Sequence, residues 1–421
     1  MSVSPQAAAA PAGFFGWWHE ATPAARRALA AASFGWMLDS FDVMLYALVL
    51  TALRTDLEMS RATAGLLGSL TLLASAAGGL LFGVVADRYG RTRALMGSVL
   101  IYSIFTAACG FAQTVTHLAV FRIFLGIGMG GEWASGAALV SETWPAEHRG
   151  KALGLMQSSW AIGYAAAAAV TAIVLPRWGW RAVFFVGVLP ALFTLWVRRR
   201  VEEPEIWRAS RTVRRDEQVV AFGDIFRGHL LPLTVAVTLM NACTMFAWWG
   251  LNLWIPDYLG AAPGEGGIGL GPGAVSGLVI AMQVGMWFGY VTFGFIGDTL
   301  GRKVTYVAYV LAASVLILAY ASTRSPLVLL ALGPFVAFFG TGYFSGFGAI
   351  TAEIYPTRIR ATAQGFTYNI GRVASAAAPF VVGSLADTQG FRVALSTTAI
   401  AFVLAAVAWI WIPETKGRQL A

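Results

Sequence analysis

Charged residues are scarce in this sequence. Lys, Arg, Asp and Glu make up 12% of its 421 residues, and hydrophobic residues make up 57%. The mean hydropathy is +0.67, whereas an ordinary soluble domain carries about twice this share of charge. The composition therefore excludes an ordinary soluble domain and predicts a protein embedded in a lipid bilayer.

Cysteine and histidine are also rare. The two cysteines, Cys109 and Cys243, fall within apolar stretches and form no disulfide or metal-binding pattern. The four histidines lie in loops or tails without a common spacing: His19, His117, His148 and His229. The sequence also lacks a nucleophile motif and a phosphate-binding loop. These absences argue against a membrane enzyme, and we expect neither a cofactor nor a metal.

Apolar stretches of about 20 residues, the length that crosses a bilayer as a helix, alternate with short charged bursts. Taking the bursts as loops predicts twelve spans: 28–53, 62–86, 94–113, 117–140, 153–175, 182–198, 230–256, 274–297, 304–322, 326–350, 363–386 and 391–412. Gly and Ala are abundant within the spans, as expected where membrane helices pack closely. The only long polar segment, 199–229, follows span six and is predicted to link two halves.

The polar residues between the spans repeat at a constant offset of 211 residues. The repeat pairs Gly83 with Gly294, Asp87 with Asp298, Arg91 with Arg302, Glu142 with Glu353, and Gly179 with Gly390. A constant offset indicates an internal duplication. The predicted fold is an all-α polytopic membrane protein with twelve transmembrane helices in two pseudo-symmetric six-helix bundles. The predicted domains are a cytoplasmic N-terminal tail (1–27), a first bundle (28–198), a cytoplasmic linker (199–229), a second bundle (230–412) and a cytoplasmic tail (413–421).

Lys and Arg are distributed unevenly between the loops. If the N-terminus is cytoplasmic, the inner loops and tails hold 21 of these residues, the outer loops six and the spans two. This asymmetry predicts a multi-pass protein of the inner (plasma) membrane with both termini cytoplasmic. It also accounts for the net charge of +8 without a nucleic-acid partner. Residues 1–25 lack the basic start, apolar core and cleavage site of a signal peptide.

The repeated loops after spans two and eight carry the pattern Gly-x-x-x-Asp-x-x-Gly-Arg. Their arginines face the cytoplasm, and Glu142 and Glu353, which end spans on the same side, are the predicted partners. We predict a cytoplasmic gate formed by Gly83, Asp87, Arg88, Gly90, Arg91, Glu142, Arg149, Gly294, Asp298, Gly301, Arg302, Glu353 and Arg360. Such a cluster can latch the inner side shut when the cavity faces outward. The alternative is that these charges only set the topology.

Several of these motifs resemble those of one transporter family. The loop from Gly83 to Arg93, with a weaker copy from Gly294 to Lys303, matches the signature loop of the major facilitator superfamily. The glycine-rich run from Arg122 to Glu132 resembles the fourth-span motif of its sugar and metabolite:proton symporters. Asp39-Ser40-Phe41-Asp42 is similar to the Asp-Gly-x-Asp of the aromatic acid:proton symporters, and Asn369-Ile370-Gly371-Arg372 resembles their eleventh-span Gly-Arg. The resemblance covers essentially the whole chain. It implies a symporter of the metabolite and organic-acid branches, like those for aromatic acids or sialate.

Four ionisable residues fall within spans one and four, where each is costly and is therefore a functional hypothesis. At ~1.5 Å per helical residue, Asp42 and Arg122 lie at similar depths, and so do Asp39 and Glu132. We therefore predict an Asp42–Arg122 ion pair beside an Asp39–Glu132 carboxylate pair. Two carboxylates cannot both ionise cheaply in a low-dielectric site, so one should hold a proton, as proton coupling requires. The alternative is an ion pair that serves folding only.

Arg372 lies near the midplane of span eleven, and the second half has no acid at its depth. An unpaired guanidinium that faces a cavity is a bidentate receptor for a carboxylate. The alternatives are a clamp on backbone carbonyls or an acid at an unforeseen position. Its neighbours Tyr368 and Asn369 are predicted to contribute hydrogen bonds. Further predicted substrate-binding residues are Asn241, Trp248, Asn252, Gln157, Ser158, Trp160, Tyr343 and Gln283. For Trp249, as for Trp248, a place in the cavity and a role as interfacial anchor are both open.

Together these features favour a proton-coupled secondary active symporter that imports a small organic anion, a mono- or aromatic carboxylate, by alternating access. The expected partners are this anion, protons and the lipid bilayer, and we expect a monomer. The main alternative is a proton-coupled sugar or other neutral-solute symporter, in which Arg372 is structural. A drug:proton antiporter is less favoured, because the fifth span from Leu155 to Leu175 has no proline, unlike the fifth span typical of those exporters.

Overall fold

The computed structural model describes residues 16–145, 148–203, 222–228 and 230–416. Within these ranges the chain forms helices and no strand. The α-helices are α1 (Gly16–Glu20), α2 (Pro23–Asp56), α3 (Arg61–Tyr89), α4 (Arg91–Cys109), α5 (Val115–Thr143), α6 (Arg149–Val186), α7 (Pro190–Arg200), α8 (Leu230–Gly260), α9 (Pro272–Leu300), α10 (Arg302–Ser322), α11 (Pro326–Thr341), α12 (Phe347–Ile354), α13 (Thr357–Ser375), α14 (Ala377–Gln389) and α15 (Phe391–Ala408). Short 3₁₀ helices form at Phe222–Phe226, Pro263–Glu265 and Gly342–Gly346.

The predicted fold of twelve spans in two halves is confirmed. Ten segments of the described chain are long and apolar enough to cross a membrane, and one of these, Gly150–Thr194, is 45 residues long and covers span five and most of span six. Span eleven is divided between α13 and α14, and span ten consists of α11, a 3₁₀ turn and α12. The predicted linker and the two tails are described only in part, and the predicted domain boundaries stay predictions.

Three helices, α2, α3 and α5, begin at residues whose side chains cap them, and these caps decide their starts more closely than hydropathy does. Pro23 starts α2 five residues before the predicted span, because the Thr22 side chain accepts a hydrogen bond from the Ala25 N–H at 3.1 Å. Ser60 caps α3 in the same way, because its Oγ accepts a hydrogen bond from the Thr63 N–H at 3.0 Å. Such caps satisfy backbone donors that the first helical turn leaves free.

The 211-residue duplication is visible in the backbone. Gly90 has φ 119° and Gly301 has φ 106°, and Gly179 and Gly390 have φ 73° and 81°. These positive angles are strained for residues with a side chain. Each copy therefore uses glycine to turn sharply between the same two pairs of helices.

A pair of acidic residues adds a landmark that the sequence analysis missed. Glu203 follows α7 and accepts hydrogen bonds from the backbone N–H groups that begin α4, at Thr92 (3.2 Å) and Arg93 (3.3 Å). Glu414, which is 211 residues later, does the same for α10, at Arg302 (2.8 Å) and Lys303 (3.1 Å). A carboxylate is favourable at a helix N-terminus, so each half ties its last span to its third.

The two halves meet mainly along three helix pairs, with a smaller contact of α3 with α13. The first half packs α2 on α6 and α5 on α3 and α4, and the second packs α8 on α13 and α15, with α11 on α9. Between the halves, α6 contacts α9, α3 contacts α14 and α2 contacts α8. The α3–α14 contact is close, because a Cβ at Gly65 would overlap the backbone of Pro379. The site lies in this interface.

Candidate functional site

A cavity of about 40 Å³ lies between the halves, with room for only a few water molecules. Small-molecule sites usually measure about 300 Å³ or more, so this one is contracted in the present conformation. Its lining residues come from both halves and are mostly aromatic: Trp36, Met129, Gln157, Trp160, Met245, Trp248, Trp249, Tyr290, Phe344, Tyr368 and Arg372.

Four tryptophans cross the interface at this cavity. The ring centroids of Trp36 and Trp160 lie 4.6 Å apart, and Trp160 meets Trp248 of the other half at 5.6 Å. Trp249 packs edge-on against Trp248 at 4.8 Å. Ser40, at the glycine position of the Asp-Gly-x-Asp motif, donates from Oγ to the Trp160 carbonyl at 2.7 Å. This bond fixes α6 against α2 beside the cavity.

Three of these tryptophans have free donors. The indole Nε1 atoms of Trp36, Trp160 and Trp248 are buried and have no hydrogen-bond partner among the described residues. A buried indole N–H usually finds an acceptor. The cavity wall therefore combines apolar surface with unused hydrogen-bond donors.

Five predicted substrate-binding residues line the cavity: Gln157, Trp160, Trp248, Tyr368 and Arg372. Trp249, for which an interfacial position was the alternative, lines it as well. Three others bond to their own helices instead. Ser158 Oγ and Asn369 Nδ2 each donate to an earlier carbonyl at 2.8 Å, and Asn252 Nδ2 does so at 3.0 Å. Their polar atoms are thereby used by the backbone, and none of the three lines the cavity in this conformation.

Asn241, Tyr343 and Gln283 were also predicted and do not line the cavity. Tyr343 is fully buried within the second half and donates its hydroxyl to the Thr244 carbonyl at 3.2 Å. Asn241 is buried against Gly371, where an added Cβ would lie 2.9 Å from the Asn241 Cβ. Gln283 is buried elsewhere in α9. Residue type and span did not suffice to identify the cavity residues, because the rotation of a helix about its axis decides which side chains reach the cavity.

Five lining residues were not predicted: Trp36, Met129, Met245, Tyr290 and Phe344. A usable signal existed for two of them. Trp36 precedes Asp39 by one helical turn, and residues three apart share a helix face. Phe344 directly follows Tyr343 at the 3₁₀ turn, where the helix loses its register. An aromatic residue one helical turn from a buried charge is a candidate cavity residue.

The structure brings together Asp39 and Glu132, the two carboxyl groups that the sequence places at one depth. Both residues are fully buried and interact electrostatically. Glu132 lies against Gly35, one turn before Asp39, where an added Cβ would be 2.5 Å from the Glu132 Oε1. The oxygens of both carboxyl groups lack a hydrogen-bond partner within the described chain.

Arg372 faces these two acids from the other half. Its side chain is buried and interacts electrostatically with Asp39 and Glu132, although the described part of the chain gives it no ion pair within 4.0 Å. One turn before Arg372, the Tyr368 ring stacks on Trp133 with 4.7 Å between centroids and an angle of 6°. The sequence analysis found no acid for Arg372 in its own half, and the acids that it faces belong to the first half.

The predicted Asp42–Arg122 ion pair is not formed among the described side chains. Instead, the Arg122 Cζ lies 3.6 Å from the centroid of the Tyr46 ring, one turn beyond Asp42. The charged group that acts on Asp42 electrostatically is Asp39. Depth along the helix was estimated from the rise per residue, but the estimate says nothing about the direction in which a side chain points.

Five charged side chains join the halves at the helix ends that the predicted topology places outside, and we call them the outer ion cluster: Arg54 and Arg61 of the first half, and Asp257, Glu265 and Asp387 of the second. Asp257 pairs with Arg54 at 3.1 Å and with Arg61 at 3.0 Å. Arg61 also reaches Glu265 at 2.9 Å and Asp387 at 3.7 Å. The sequence analysis counted these arginines only as outer-loop charge.

The architecture of two duplicated six-span halves around a central cavity agrees with a comparison to known families. The model of the Major Facilitator Superfamily matches residues 32–276 and 237–421. The chain belongs to this family of membrane transporters. It is therefore a multi-pass transporter and not an enzyme.

Similar transporters align over nearly the whole chain. A putative metabolite transport protein of Haemophilus influenzae is 35% identical, with 94% of this chain and 97% of that protein covered. A probable 4-methylmuconolactone transporter of Cupriavidus pinatubonensis is 31% identical, covering 96% and 94%. The sialic acid transporter of Escherichia coli is 30% identical, covering 92% and 93%.

Solved structures support the major facilitator fold. The partially occluded, inward-open xylose transporter of Escherichia coli superposes with a TM-score of 0.75 at 21% identity, covering 95% of this chain and 100% of that one. An inward-facing bacterial homologue of the lysosomal transporter Spinster gives 0.70 at 18% identity, covering 93% and 97%.

At the end of this transporter opposite the outer ion cluster, the ion pairs lie within each half. Arg91 pairs with Glu142 at 2.8 Å. Arg302 pairs with Glu353 at 3.3 Å and with Asp298 at 2.7 Å. The two acids foreseen as partners are thus in contact with the repeated arginines. Among the described side chains, however, these pairs brace one half each and do not latch the halves together.

Three further residues of the predicted gate, Gly83, Arg88 and Gly294, show no close contact between the halves in this conformation. Arg88 is exposed, and a Cβ at Gly83 or Gly294 would meet no atom within 4 Å. These two glycines therefore mark no close helix contact here. The side chains of Asp87, Arg149 and Arg360 lie outside the described part of the structure.

Proposed function

We propose that this transporter is a proton-coupled symporter that imports a small organic anion, a mono- or aromatic carboxylate, across the inner membrane. Both termini are cytoplasmic in this proposal, and the monomer is the working unit. The observation that carries it is Arg372, a buried guanidinium that lines an aromatic cavity between the halves. A planar guanidinium offers two parallel donors to one carboxylate.

The chemistry of the cavity wall supports an anion. The free Nε1 donors of Trp36, Trp160 and Trp248 add to the guanidinium donors, so the site favours a ligand rich in acceptors. The aromatic faces suit a flat apolar body. Relatives named as 4-methylmuconolactone and sialic acid transporters are consistent with a small organic acid.

Proton coupling is proposed to use Asp39 and Glu132, with Asp42 beside them. An empty Arg372 compensates the charge of these acids across the interface. When a substrate carboxylate binds Arg372, this compensation falls. A buried carboxyl group without partners then has a much lower free energy in its neutral form. Binding of the anion thus favours binding of a proton, and the loaded site carries no added charge.

We propose that, in alternating access, one end of the transporter closes when the other end opens. The outer ion cluster closes the outer end in this conformation, and its cross-half pairs must break before the cavity opens outward. The pairs Arg91–Glu142 and Arg302–Glu353 then keep each half rigid while the halves rock about the site.

The test is uptake by proteoliposomes of benzoate, nicotinate, gentisate, muconate and N-acetylneuraminate, with xylose as the neutral comparison. An inward pH gradient should drive accumulation of at least one carboxylate. One anion with one proton should be insensitive to voltage, whereas a second proton would add about 2.3 kcal/mol per 100 mV. Transport of xylose but of no carboxylate would overturn the proposal and favour the neutral-solute alternative.

Arg372→Ala and Arg372→Lys separate charge from geometry in the same assay. The Ala variant should lose carboxylate uptake, and the Lys variant should retain a small part, because an ammonium cannot bind a carboxylate through a planar fork. Normal uptake by both variants would remove Arg372 from the binding site.

A further inference from the structure

A second arginine is buried in the interface and has no ion-pair partner among the described residues. Arg122 of α5 is 2% exposed, and its Nε and Nη1 have no hydrogen-bond partner among the described residues. One face of its guanidinium is covered by the Tyr46 ring at 3.6 Å. The groups that act on it electrostatically, Tyr46 and Cys109, are ordinarily neutral. No acid in the described part of the chain lies within ion-pair distance of Arg122.

This arginine lines a cavity of its own between the halves. The void measures about 10 Å³ in the present conformation, room for a single water. Val43 and Thr71 bound it from the first half, and Trp249, Leu253 and Pro379 bound it from the second. Because its two walls belong to different halves, the void must widen when the halves separate at this level.

The void lies on the path between the outside and the central cavity. Leu253 is one turn inward from Asp257 of the outer ion cluster, and Pro379 is about 12 Å inward from Asp387 by helical rise. On the inner side, Trp249 lines both this void and the Arg372 cavity. A solute that enters from outside therefore passes the outer ion cluster, then Arg122, then Trp249, before it reaches Arg372.

A purely structural role does not explain the chemistry at this position. A buried charge is costly unless it is paired, and an apolar side chain would fill the same volume at lower cost. Stacking on Tyr46 leaves the edge of the guanidinium, which carries the donors, unused. An edge with free donors that faces an interface void fits a transient anion.

We infer that Arg122 is an outer carboxylate subsite, which receives the carboxylate of an entering substrate before the substrate passes Trp249 to Arg372. This inference rests on the proposed transport of organic anions. It assigns the two arginines successive roles on one path. The subsite forms fully only in the outward-open conformation, where the walls of the void move apart.

The first test compares Arg122→Gln with the wild type in right-side-out cells and in inverted vesicles, at equal pH and zero voltage. The probe is the member of the carboxylate panel that the wild type transports fastest. Without a driving force, a substitution must change the ratio of maximal rate to KM by the same factor for influx and for efflux. We expect the outer KM to rise about tenfold or more, as loss of a charged hydrogen bond implies. From the inside, KM should stay unchanged and the maximal rate should fall by the same factor.

A merely structural arginine would give a different pattern. Equal changes of KM on both sides, or no change on either side, would overturn the subsite while leaving the proposed function intact. If the wild type transports no member of the panel, the proposed function fails and the subsite fails with it. Arg122→Lys is the matched variant and should lie between wild type and Gln, since it keeps the charge but not the fork.

A second test does not depend on the stability of the Gln variant. Arg122→Cys is made in a chain with Cys243→Ala, since Cys109 is fully buried. After folding, cationic aminoethyl methanethiosulfonate should restore a substantial part of uptake, and anionic sulfonatoethyl methanethiosulfonate should not. Equal effects of both reagents would mean that charge at this position is irrelevant and would overturn the inference.

Discussion

The Nε of Arg61 lies 3.0 Å from Oδ2 of Asp257, and this contact joins the start of span two to the outer end of span seven. Asp257 is fully buried and also accepts hydrogen bonds from Arg54 and from Thr51 Oγ1, the latter at 2.8 Å. All three donors belong to the first half, so this one carboxylate of the second half ties three side chains of the first half at this end of the interface. Removing one partner of a buried ion pair typically costs 3–5 kcal/mol, roughly, because the other charges are left unpaired.

Neutralising Asp257 should therefore open the outer end. In a chain with Cys243→Ala, a Thr71→Cys probe reports access to the void beside Arg122. We expect Asp257→Asn to raise the rate at which a membrane-impermeant thiol reagent labels this cysteine by about tenfold or more. The reason is that loss of the charge removes two cross-half ion pairs together.

Asp56→Asn is the matched control for that experiment. Asp56 pairs with Arg181 at 2.9 Å on the same side, but both residues belong to the first half. Its replacement should leave labelling of Thr71→Cys unchanged. Equal labelling rates in the two variants would show that the outer ion cluster does not hold the closed state.

The carboxylate of Glu414 predicts a dependence of stability on pH. Partial burial by itself raises its pKa, but hydrogen bonds from the backbone N–H groups of Lys416, Arg302, Lys303 and Thr415 hold the pKa below its ordinary value. A lowered pKa in the folded state contributes stability above the unfolded value of about 4.3, and this stability is lost as the pH falls through the folded pKa.

Glu414→Gln should accordingly lower the melting temperature in detergent at pH 7, by an effect of about 1 kcal/mol that is typical of a helix cap. Between about pH 5 and pH 3 its melting temperature should fall less than that of the wild type. Glu58→Gln changes an exposed carboxylate and serves as the control. Parallel pH curves for Glu414→Gln and wild type would contradict the capping role.

The acids opposite Arg372 should be required for coupling rather than for movement of substrate. Asp39→Asn and Glu132→Gln each keep the shape of a buried side chain but remove its proton exchange. We expect at least one of them to retain exchange of labelled for unlabelled substrate while losing accumulation driven by a pH gradient. Proteoliposome exchange and uptake, measured on the same preparation, distinguish the two activities. Undiminished accumulation in both variants would place the proton elsewhere.

We predict that the indole donors of the cavity contribute measurably to the affinity for substrate. Trp160→Phe keeps an aromatic ring but removes the Nε1 donor that is unpaired in this conformation. If this donor binds a substrate acceptor, KM should rise about fivefold, the effect of roughly 1 kcal/mol from one neutral hydrogen bond. Trp196→Phe, on the partly exposed surface of α7, should leave KM unchanged. A normal KM for Trp160→Phe would exclude the indole from substrate binding.

Much of the fold could be predicted because the signals are local. A stretch of about 20 apolar residues must form a helix in a bilayer wherever its neighbours lie, and Gly90 and Gly301 show the duplication through backbone angles that favour glycine. Spans six and eleven were foreseen by length, but span six is broken where α6 ends before Gly187 and α7 begins at Pro190, and span eleven is broken at the junction of α13 with α14. Helix ends depended on caps such as Thr22.

The sequence by itself determined the membrane placement, the two-fold repeat and the identity of the charges within the spans, since each follows from composition and spacing along one chain. Only the tertiary structure decided which charges meet. Depth estimates matched Asp42 with Arg122, yet Arg122 stacks on Tyr46. Arg61 contacts Asp257, which lies 196 positions later in the chain. Rotation about a helix axis and contacts between halves are not local properties, and so no single span of the sequence specifies them.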